Sequence, residues 1–317
     1  MPEGPAVVSA TSGGFETHGT VALGLGGPEV VMSAVPGSGF LSKNKGLGIT
    51  FWVCLGWVVF MILLAVLAST LPLKAPNFQD YSAVNVGPST HHLLGTDDLG
   101  RDLLSRVIFG SRVSLVIGFV PILIGLVIGG ATGLLAGYRS GVADTVLNAV
   151  SFVLLAFPAL LAIMVIETFW KPVSLFKLTI MFAFVSSPLL FRVIRATTLS
   201  FSSREFVVAA RATGAKTSRL LLRELLPNVV PAAVSFALIG VALAIVLEGS
   251  LAYLGLSIGL PTSSLGNIIN DGVNSNNLSV NPYIALWPSL YIFLLLTALN
   301  LMADRLRSYF DLREVSL

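Results

Sequence analysis

The chain has 317 residues, of which 55% are hydrophobic and 11% are charged, and its formal net charge is +3. Soluble domains carry about a quarter charged residues, so this composition excludes an ordinary soluble domain and indicates a polytopic, all-α integral membrane protein. The small positive charge predicts no nucleic-acid partner, and Cys54, the one cysteine, excludes an intrachain disulfide or a thiolate metal cluster.

The first 42 residues contain no Lys or Arg and are rich in Gly, Ser, Ala and Val. A secretory signal needs a cationic start and a continuous apolar core, and this stretch has neither. We expect residues 1–44 to form a disordered cytoplasmic tail and residues 45–317 to form one transmembrane domain.

Six windows of the chain are apolar over the roughly 20 residues that a helix needs to cross a bilayer. The fourth window is the weakest, because only fourteen uncharged residues lie between Lys177 and Arg192, and these alone could form an interfacial or buried segment. We still predict a span there, with Arg192 and Arg195 extending to the cytoplasmic surface. Six spans with both termini in the cytoplasm place most Lys and Arg residues inside, as the positive-inside rule requires. Five spans would place the basic C-terminus outside. The predicted spans are about 50–71, 113–137, 145–167, 176–197, 229–253 and 283–303.

The two long outer segments are residues 72–112 and 257–282, and the second is expected to be a loop or a re-entrant turn. Within the first, residues 96–108 are predicted to form an amphipathic helix capped by Thr96. This helix either seats the second span at the membrane interface or offers an external protein a docking surface. Two acid–base pairs with (i, i+4) spacing support it, Asp97 with Arg101 and Asp102 with Arg106. The docking residues would be Asp98, Arg101 and Asp102.

The second span carries four glycines spaced four residues apart. On a helix this spacing leaves one face without side chains, so that a neighbouring helix can approach closely. We predict a packing groove formed by Gly125, Gly129, Gly133 and Gly137.

A basic loop, residues 200–228, joins the fourth and fifth spans, and the topology places it in the cytoplasm. Ser202 and Glu205 fit a capping box that opens a helix, and Gly214 suits the C-terminal turn of that helix. Pro227 marks the return to the membrane. Because most connecting loops have only a few residues, a structured basic loop of this length is predicted to bind a cytosolic partner.

Glu248 lies near the end of the fifth span, where an ionisable side chain is a candidate for function. It either lines a pathway or pairs with a neighbouring helix, and both alternatives stay open. His91 and His92 have no acidic or cysteine partner at metal-ligand spacing, so no metal site is predicted. Without a G-x-x-x-x-G-K-[ST] loop the chain is not expected to bind ATP itself, and no motif predicts catalytic residues.

Three stretches carry a resemblance to permease subunits of bacterial dipeptide, oligopeptide and nickel ABC importers. The first resembles the signature ahead of their second span, the second resembles their cytoplasmic EAA loop, and the third resembles their C-terminal end. The likeness covers about residues 45–314, and the motif order matches the second, C-type permease subunit. The stretches are HHLLGTDDLGRDLLSRVIFGSRVSL (91–115), REFVVAARATGAKTSRLLLRELLPN (204–228) and LNLMADRLRSYFDLRE (299–314).

This resemblance implies the type I ABC importer permease fold in the bacterial cytoplasmic (inner) membrane. It implies a transport subunit that is not an enzyme, holds no cofactor and forms half of a pathway for di- or oligopeptides. A homologous second permease would complete the pathway, two cytoplasmic ATPases would bind ATP and Mg, and an extracytoplasmic substrate-binding protein would deliver the substrate.

The EAA loop of this family is a coupling helix that contacts the ATPase. Val208 stands where the family motif has its first Glu, so no polar contact is assigned there. The C-terminal end lacks the Asp-Pro common in relatives. On this sequence the coupling residues would be Glu205, Ala209, Ala210, Arg211, Thr213, Gly214, Ala215, Lys216 and Arg219.

Other functions stay open at this point. The solute of such an importer could be a nickel chelate or another small molecule. A secondary transporter that works without ATP would need intramembrane ionisable residues or broken helices, and among the acids only Glu248 qualifies. An intramembrane enzyme would need a catalytic pair, which the spans do not show.

Overall fold

The computed structural model describes residues 47–259, 262–274 and 277–314. The predicted tail, residues 1–44, lies outside the described residues. The described chain is helical, which confirms the predicted all-α class. Its helices are α1 (Gly48–Leu67), α2 (Leu103–Arg139), α3 (Val142–Ala156), α4 (Ala159–Phe169), α5 (Leu175–Ser202), α6 (Glu205–Ala212), α7 (Thr217–Arg219), a π-helical turn (Leu220–Leu225), α8 (Leu226–Tyr253), α9 (Leu265–Asn274), α10 (Asn277–Val280) and α11 (Tyr283–Glu314).

Five helices of the described chain are long and apolar enough to cross a membrane: α1, α2, α5, α11 and the continuous helix Thr217–Tyr253. The third predicted span, about 145–167, is not a straight helix, because α3 and α4 meet at an angle of 85°. Pro158 explains the break, since a proline disfavours helical backbone at the residue before it and Phe157 is extended (φ −85°, ψ 131°). The bent pair counts as a sixth span if it crosses the membrane as one unit.

Helix α2 begins at Leu103, well before the predicted span, and its N-cap is Asp102. The carboxylate of Asp102 accepts a hydrogen bond from the Ser105 backbone N–H at 3.0 Å. The predicted helix over residues 96–108 is therefore wrong in its first half, and Thr96 caps nothing there. Its side chain instead bonds the preceding loop, donating to the Ala83 carbonyl at 2.5 Å.

Arg112 is the last residue of the predicted outer segment 72–112, yet it lies inside α2. The helix tolerates this charge because the guanidinium reaches the C-terminal end of α1. It donates to the Val66 carbonyl at 2.8 Å and to the Ser69 hydroxyl at 2.9 Å.

The predicted glycine groove of α2 lies against α5. A Cβ atom at Gly129 would overlap the backbone carbonyl oxygen of Ser187, and one at Gly133 would lie 2.7 Å from that of Phe191. The two backbones are therefore in direct contact, which only glycine permits at these positions. The outer members of the set also meet α5: Gly125 and Gly137.

The segment after α8 was expected to be a loop or a re-entrant turn, but it contains helix α9. Ser264 begins this helix, because its hydroxyl accepts a hydrogen bond from the Asn267 N–H at 3.2 Å. Leu265 and Ile268 are fully buried, and Gly266 packs against α8. The spacing of the apolar residues Leu265 and Ile268 is typical of a helix, but the many Asn and Gly residues around them favoured a loop in the sequence-based prediction.

Candidate functional site

The basic loop after α5 folds into a short helix, α6, which ends in a Schellman turn. Gly214 adopts φ +81°, and its N–H donates to the Arg211 carbonyl at 3.0 Å. The Ala215 N–H donates to the Ala210 carbonyl at 3.1 Å. These two bonds satisfy the last carbonyls of the helix, and the left-handed backbone explains the glycine.

The start of α6 differs from the prediction. Helix α5 continues to Ser202, whose hydroxyl donates to the Leu199 carbonyl at 2.9 Å, so the capping box with Glu205 does not form. Arg204 is the N-cap, and its side chain does not cap the helix. Only two residues separate the two helices, which leaves no room for an independent cap.

One face of α6 packs onto the bundle through Val207, which is 0% exposed. Val207 belongs to an apolar cluster whose other buried members come from α2, α5 and the helix that follows the loop. The half-buried Ala210 and Ala215 pack against the same cluster, which consists of Leu134, Ile194, Val207, Leu220, Leu225, Val229 and Ala233.

The opposite face of α6 is exposed, and it carries the apolar side chains of Phe206 and Val208 beside two alanines, Ala209 and Ala212. Arg211 lies 5.3 Å above the ring of Tyr138 at the end of α2, which gives the loop a further attachment. The Thr213 hydroxyl donates to the Ala210 carbonyl at 3.0 Å. The exposed residues of the predicted coupling set are Glu205, Ala209, Arg211, Thr213, Gly214, Lys216 and Arg219.

Pro227 lies inside a helix that runs continuously from Thr217 to Tyr253, and its place at the membrane boundary stays a prediction. Proline lacks an N–H and its ring crowds the carbonyl four residues earlier. The π-helical turn Leu220–Leu225 lies just before it and widens the helix. The loop therefore leads directly into α8.

At the other end of α2, a group of charged residues is buried. Asp97, at 0% exposure, accepts from Arg101 Nε at 2.7 Å and from Arg106 Nη1 at 2.5 Å. Arg106 Nη2 also donates to Asp271 of α9 at 3.0 Å. The predicted Asp97–Arg101 pair exists, but in a loop, and the predicted Asp102–Arg106 pair does not form. We call Asp97, Arg101, Arg106 and Asp271 the charge cluster.

Asp102 pairs instead with His92, whose Nδ1 lies 2.9 Å from the Asp102 carboxylate. Both side chains are buried, and the Lys74 ammonium lies 3.4 Å from His92 Nε2. Of the three residues predicted for docking, Arg101 and Asp102 are thus engaged inside the chain, and Asp98 is half-exposed. Arg101 and Asp102 therefore also help to hold the loop ahead of α2 in place.

Glu248 is fully buried on α8 and is surrounded by serine hydroxyls. Ser257 donates to its Oε1 at 2.9 Å, and Ser114 of α2 donates to its Oε2 at 3.4 Å. The Ser264 side chain also lies beside the carboxylate. The Ser114 oxygen in turn accepts from the Leu265 N–H at 3.2 Å. Glu248 therefore joins α2, α8 and the start of α9.

The sequence did not predict which residues from distant segments of the chain pair with these charged side chains. Arg106 was assigned to Asp102, and Asp271 was assigned no partner, since their contact spans 165 positions of the chain. No local pattern encodes such a pair. Within the part of the chain that the structure describes, no three His, Cys, Asp or Glu residues are grouped so as to hold a metal ion.

The chain matches a protein family described as "Binding-protein-dependent transport system inner membrane component" over residues 129–315. It is 37% identical to the glutathione transport system permease protein GsiD of Pectobacterium atrosepticum over 257 residues, which cover 80% of this chain and 84% of that protein. The GsiD protein of Shigella sonnei gives the same identity and coverage. These findings confirm the family inferred from the three sequence stretches.

Among solved structures, the fold is similar to two crystal forms titled "Inward facing conformations of the MetNI methionine ABC transporter". The SeMet soak form has a TM-score of 0.53 at 21% identity and covers 65% of this chain and 96% of the matched chain. The native form has a TM-score of 0.52 at 17% identity, with 64% and 95% covered. At this identity the similarity establishes the fold, and it supports the predicted permease architecture.

Proposed function

Because the chain belongs to the family of binding-protein-dependent transport system inner membrane components, we propose that this ABC importer permease carries short peptides. The protein is a multi-pass component of the inner membrane. The relatives are named as glutathione transport permeases, and glutathione is itself a tripeptide. The 37% identity over most of both chains supports the same class of solute for this chain. A nickel chelate or another small solute is the second candidate.

The exposed face of α6, which carries Phe206 and Val208 beside Ala209 and Ala212, is the single observation that best supports coupling to separate ATPases. Exposed apolar side chains favour burial against a partner, and the two alanines let that partner approach the helix backbone closely. The buried face of α6 meets the ends of α2, α5 and α8, so a push on the exposed face would move these helices together. We place this end in the cytoplasm because its loop is basic.

The chain itself would not hydrolyse ATP, since its sequence contains no phosphate-binding loop. Two partner ATPases would hold ATP and Mg, a homologous second permease would complete the pathway in the lipid bilayer, and a binding protein would deliver the peptide. Affinity purification of the tagged chain in mild detergent tests this assembly. We expect a protein with a Walker motif to co-purify, and its absence would favour a transporter that works without ATP.

Replacement of Gly214 tests the coupling role of α6. Proline cannot adopt φ +81° and has no N–H to donate to Arg211, so Gly214→Pro should disrupt the Schellman turn. In proteoliposomes we expect ATP hydrolysis to persist while uptake falls at least about tenfold. Gly214→Asn is the matched control, because Asn tolerates this backbone. Normal uptake by the proline variant at normal expression would contradict the coupling role.

The solute is tested by uptake into proteoliposomes that contain the complete transporter and its binding protein. We expect labelled dipeptides or glutathione to be imported with ATP, and a nickel chelate not to be. Import of the chelate alone would establish the second candidate. The docking role of Asp98, Arg101 and Asp102 stays a prediction, and a loss of binding-protein affinity in Asp98→Asn would support it.

A further inference from the structure

A cavity of about 300 Å³ opens where the loop ahead of α2 faces the segment from the end of α8 to α9. Its size is at the lower end of the range of small-molecule sites, about 300–1,000 Å³. Its polar wall includes Asp98, Arg101, Ser257, Asn267, Asn270 and Asp271.

The charged part of this wall is held in place by the charge cluster. Arg101 donates two hydrogen bonds to the buried Asp97 carboxylate, one from Nε at 2.7 Å and one from its backbone N–H at 2.9 Å. Asp271 accepts from Arg106 at 3.0 Å and from Arg101 Nη2 at 3.4 Å. A cation and a carboxylate are thus fixed beside each other before any ligand arrives.

The uncharged part of the wall is held equally firmly. The Ser257 hydroxyl donates to the buried Glu248 at 2.9 Å, and the Asn267 amide donates to the Ile258 carbonyl at 2.6 Å. A site whose polar groups are fixed by their neighbours loses little entropy when it binds a ligand. This organisation distinguishes the cavity from a gap between loops.

We propose that the cavity is a binding subsite for a small zwitterion, namely the ammonium and carboxylate groups of a transported peptide. Arg101 Nη1 carries two N–H groups that can donate to a carboxylate, and Asp98 and Asp271 provide carboxylates for an ammonium group. A simple anion or cation would meet a like charge here, whereas a molecule with both charges matches both sets of groups. The proposal rests on the proposed peptide transport and adds a peptide site on the permease itself.

The ligand requirement can be tested without changing the protein. The complete transporter, without its binding protein, is placed in lipid nanodiscs and titrated with labelled dialanine. N-acetyl-dialanine lacks the ammonium group and dialanine amide lacks the carboxylate. Because hydrogen bonds to charged groups are worth about 1.5–3 kcal/mol, each change should weaken binding at least about tenfold. Equal binding of all three compounds would overturn the proposal.

A steric block locates the binding. Gly259 lines the cavity, and a Cβ there meets no atom within 4 Å in the described structure, so Gly259→Phe would place a ring near the cavity without a backbone clash. Gly87 has equally open space but lies outside the cavity lining, which makes Gly87→Phe the matched control. We expect dialanine binding to fall at least about tenfold in the first variant and to be unchanged in the second.

Three results separate the subsite from the peptide-transport function. In the first, the wild type imports dialanine with the binding protein present, and Gly259→Phe binds and imports it normally. This result would overturn the subsite alone. No peptide import by the wild type would overturn the transport proposal as well. Loss of binding-protein affinity in Gly259→Phe, with dialanine binding intact, would show that the cavity contacts the binding protein, which would also overturn the subsite.

Discussion

The two ends of α2 hold their charges in opposite ways. At its start, Asp97, Arg101 and Arg106 are almost completely buried and satisfy one another. At its far end, about 55 Å away by helix length, the cations of the α6 loop are exposed and one buried residue, Val207, attaches the helix. A buried ion network permits one arrangement, because any displacement leaves a charge unpaired in an apolar setting. An exposed, lightly attached helix can take its position from a partner.

The largest effect should follow removal of the cation at the centre of the charge cluster. Arg106→Met keeps much of the side-chain volume but leaves Asp97 with one partner and removes the bond to Asp271. Breaking a buried pair costs about 3–5 kcal/mol, so we expect little folded protein. Thermal unfolding of the purified chain in detergent, together with its yield in membranes, measures this loss.

Arg219→Met is the control for that substitution at the other end of the molecule. Arg219 is exposed beyond the Schellman turn, where an ion or hydrogen bond is worth little to stability. We expect its stability to stay within about 0.5 kcal/mol of the wild type. Equal melting temperatures for Arg106→Met and the wild type would show that the cluster does not hold the structure together.

The glycine groove between the two ends should give the next largest effect. In Gly129→Ala the new methyl group would overlap the Ser187 carbonyl oxygen of α5, and forcing it in should cost about 1–3 kcal/mol. Gly130→Ala is the matched control, because its methyl group would meet only the flexible end of Ile194, at 3.3 Å. Thermal unfolding should therefore show a lower melting temperature for Gly129→Ala than for Gly130→Ala, although the two substitutions are chemically identical. A smaller loss at Gly129 than at Gly130 would contradict the close contact of α2 and α5.

These two sites also show which parts of the fold the sequence predicts. The groove can be predicted from the sequence because it depends on one helix alone. Glycines spaced four residues apart leave one face of that helix without side chains. The charge cluster cannot be predicted from local sequence, because Arg106 and Asp271 come together only when α9 packs against α2. Local spacing instead paired Arg106 with Asp102, which prefers to cap the helix and to bind His92. Gly214 was predictable for the same local reason as the groove.

The attachment of α6 should show a smaller, more localised effect. Val207→Ala removes two buried methyl carbons, which corresponds to about 1.5 kcal/mol at about 0.8 kcal/mol for each carbon. We expect this loss to favour local opening of α6, seen as faster amide hydrogen exchange in α6 with an unchanged melting temperature. Uptake should fall relative to ATP hydrolysis, since a loosened helix transmits less motion.

Val208→Ala sharpens the comparison within the same helix. Val208 is half-exposed on the face that we assign to the ATPase, so its truncation should leave hydrogen exchange in α6 unchanged. It should instead weaken co-purification of the ATPase. Identical results for the two variants would mean that the inward and outward faces of α6 have no separate roles.

The smallest expected effect comes from the hydroxyls around Glu248. Ser257→Ala removes one hydrogen bond to a carboxylate that retains Ser114 and Ser264, so the loss should be about 1 kcal/mol, or a melting temperature lower by about 2 °C. Ser250→Ala is the control, because that hydroxyl bonds only a carbonyl of its own helix, Val246, and no effect is expected. A loss of several kcal/mol in Ser257→Ala would mean that the hydroxyls act as one unit. The rigid end of the molecule would then depend on Glu248 as much as on Arg106, because both fix α9 against α2.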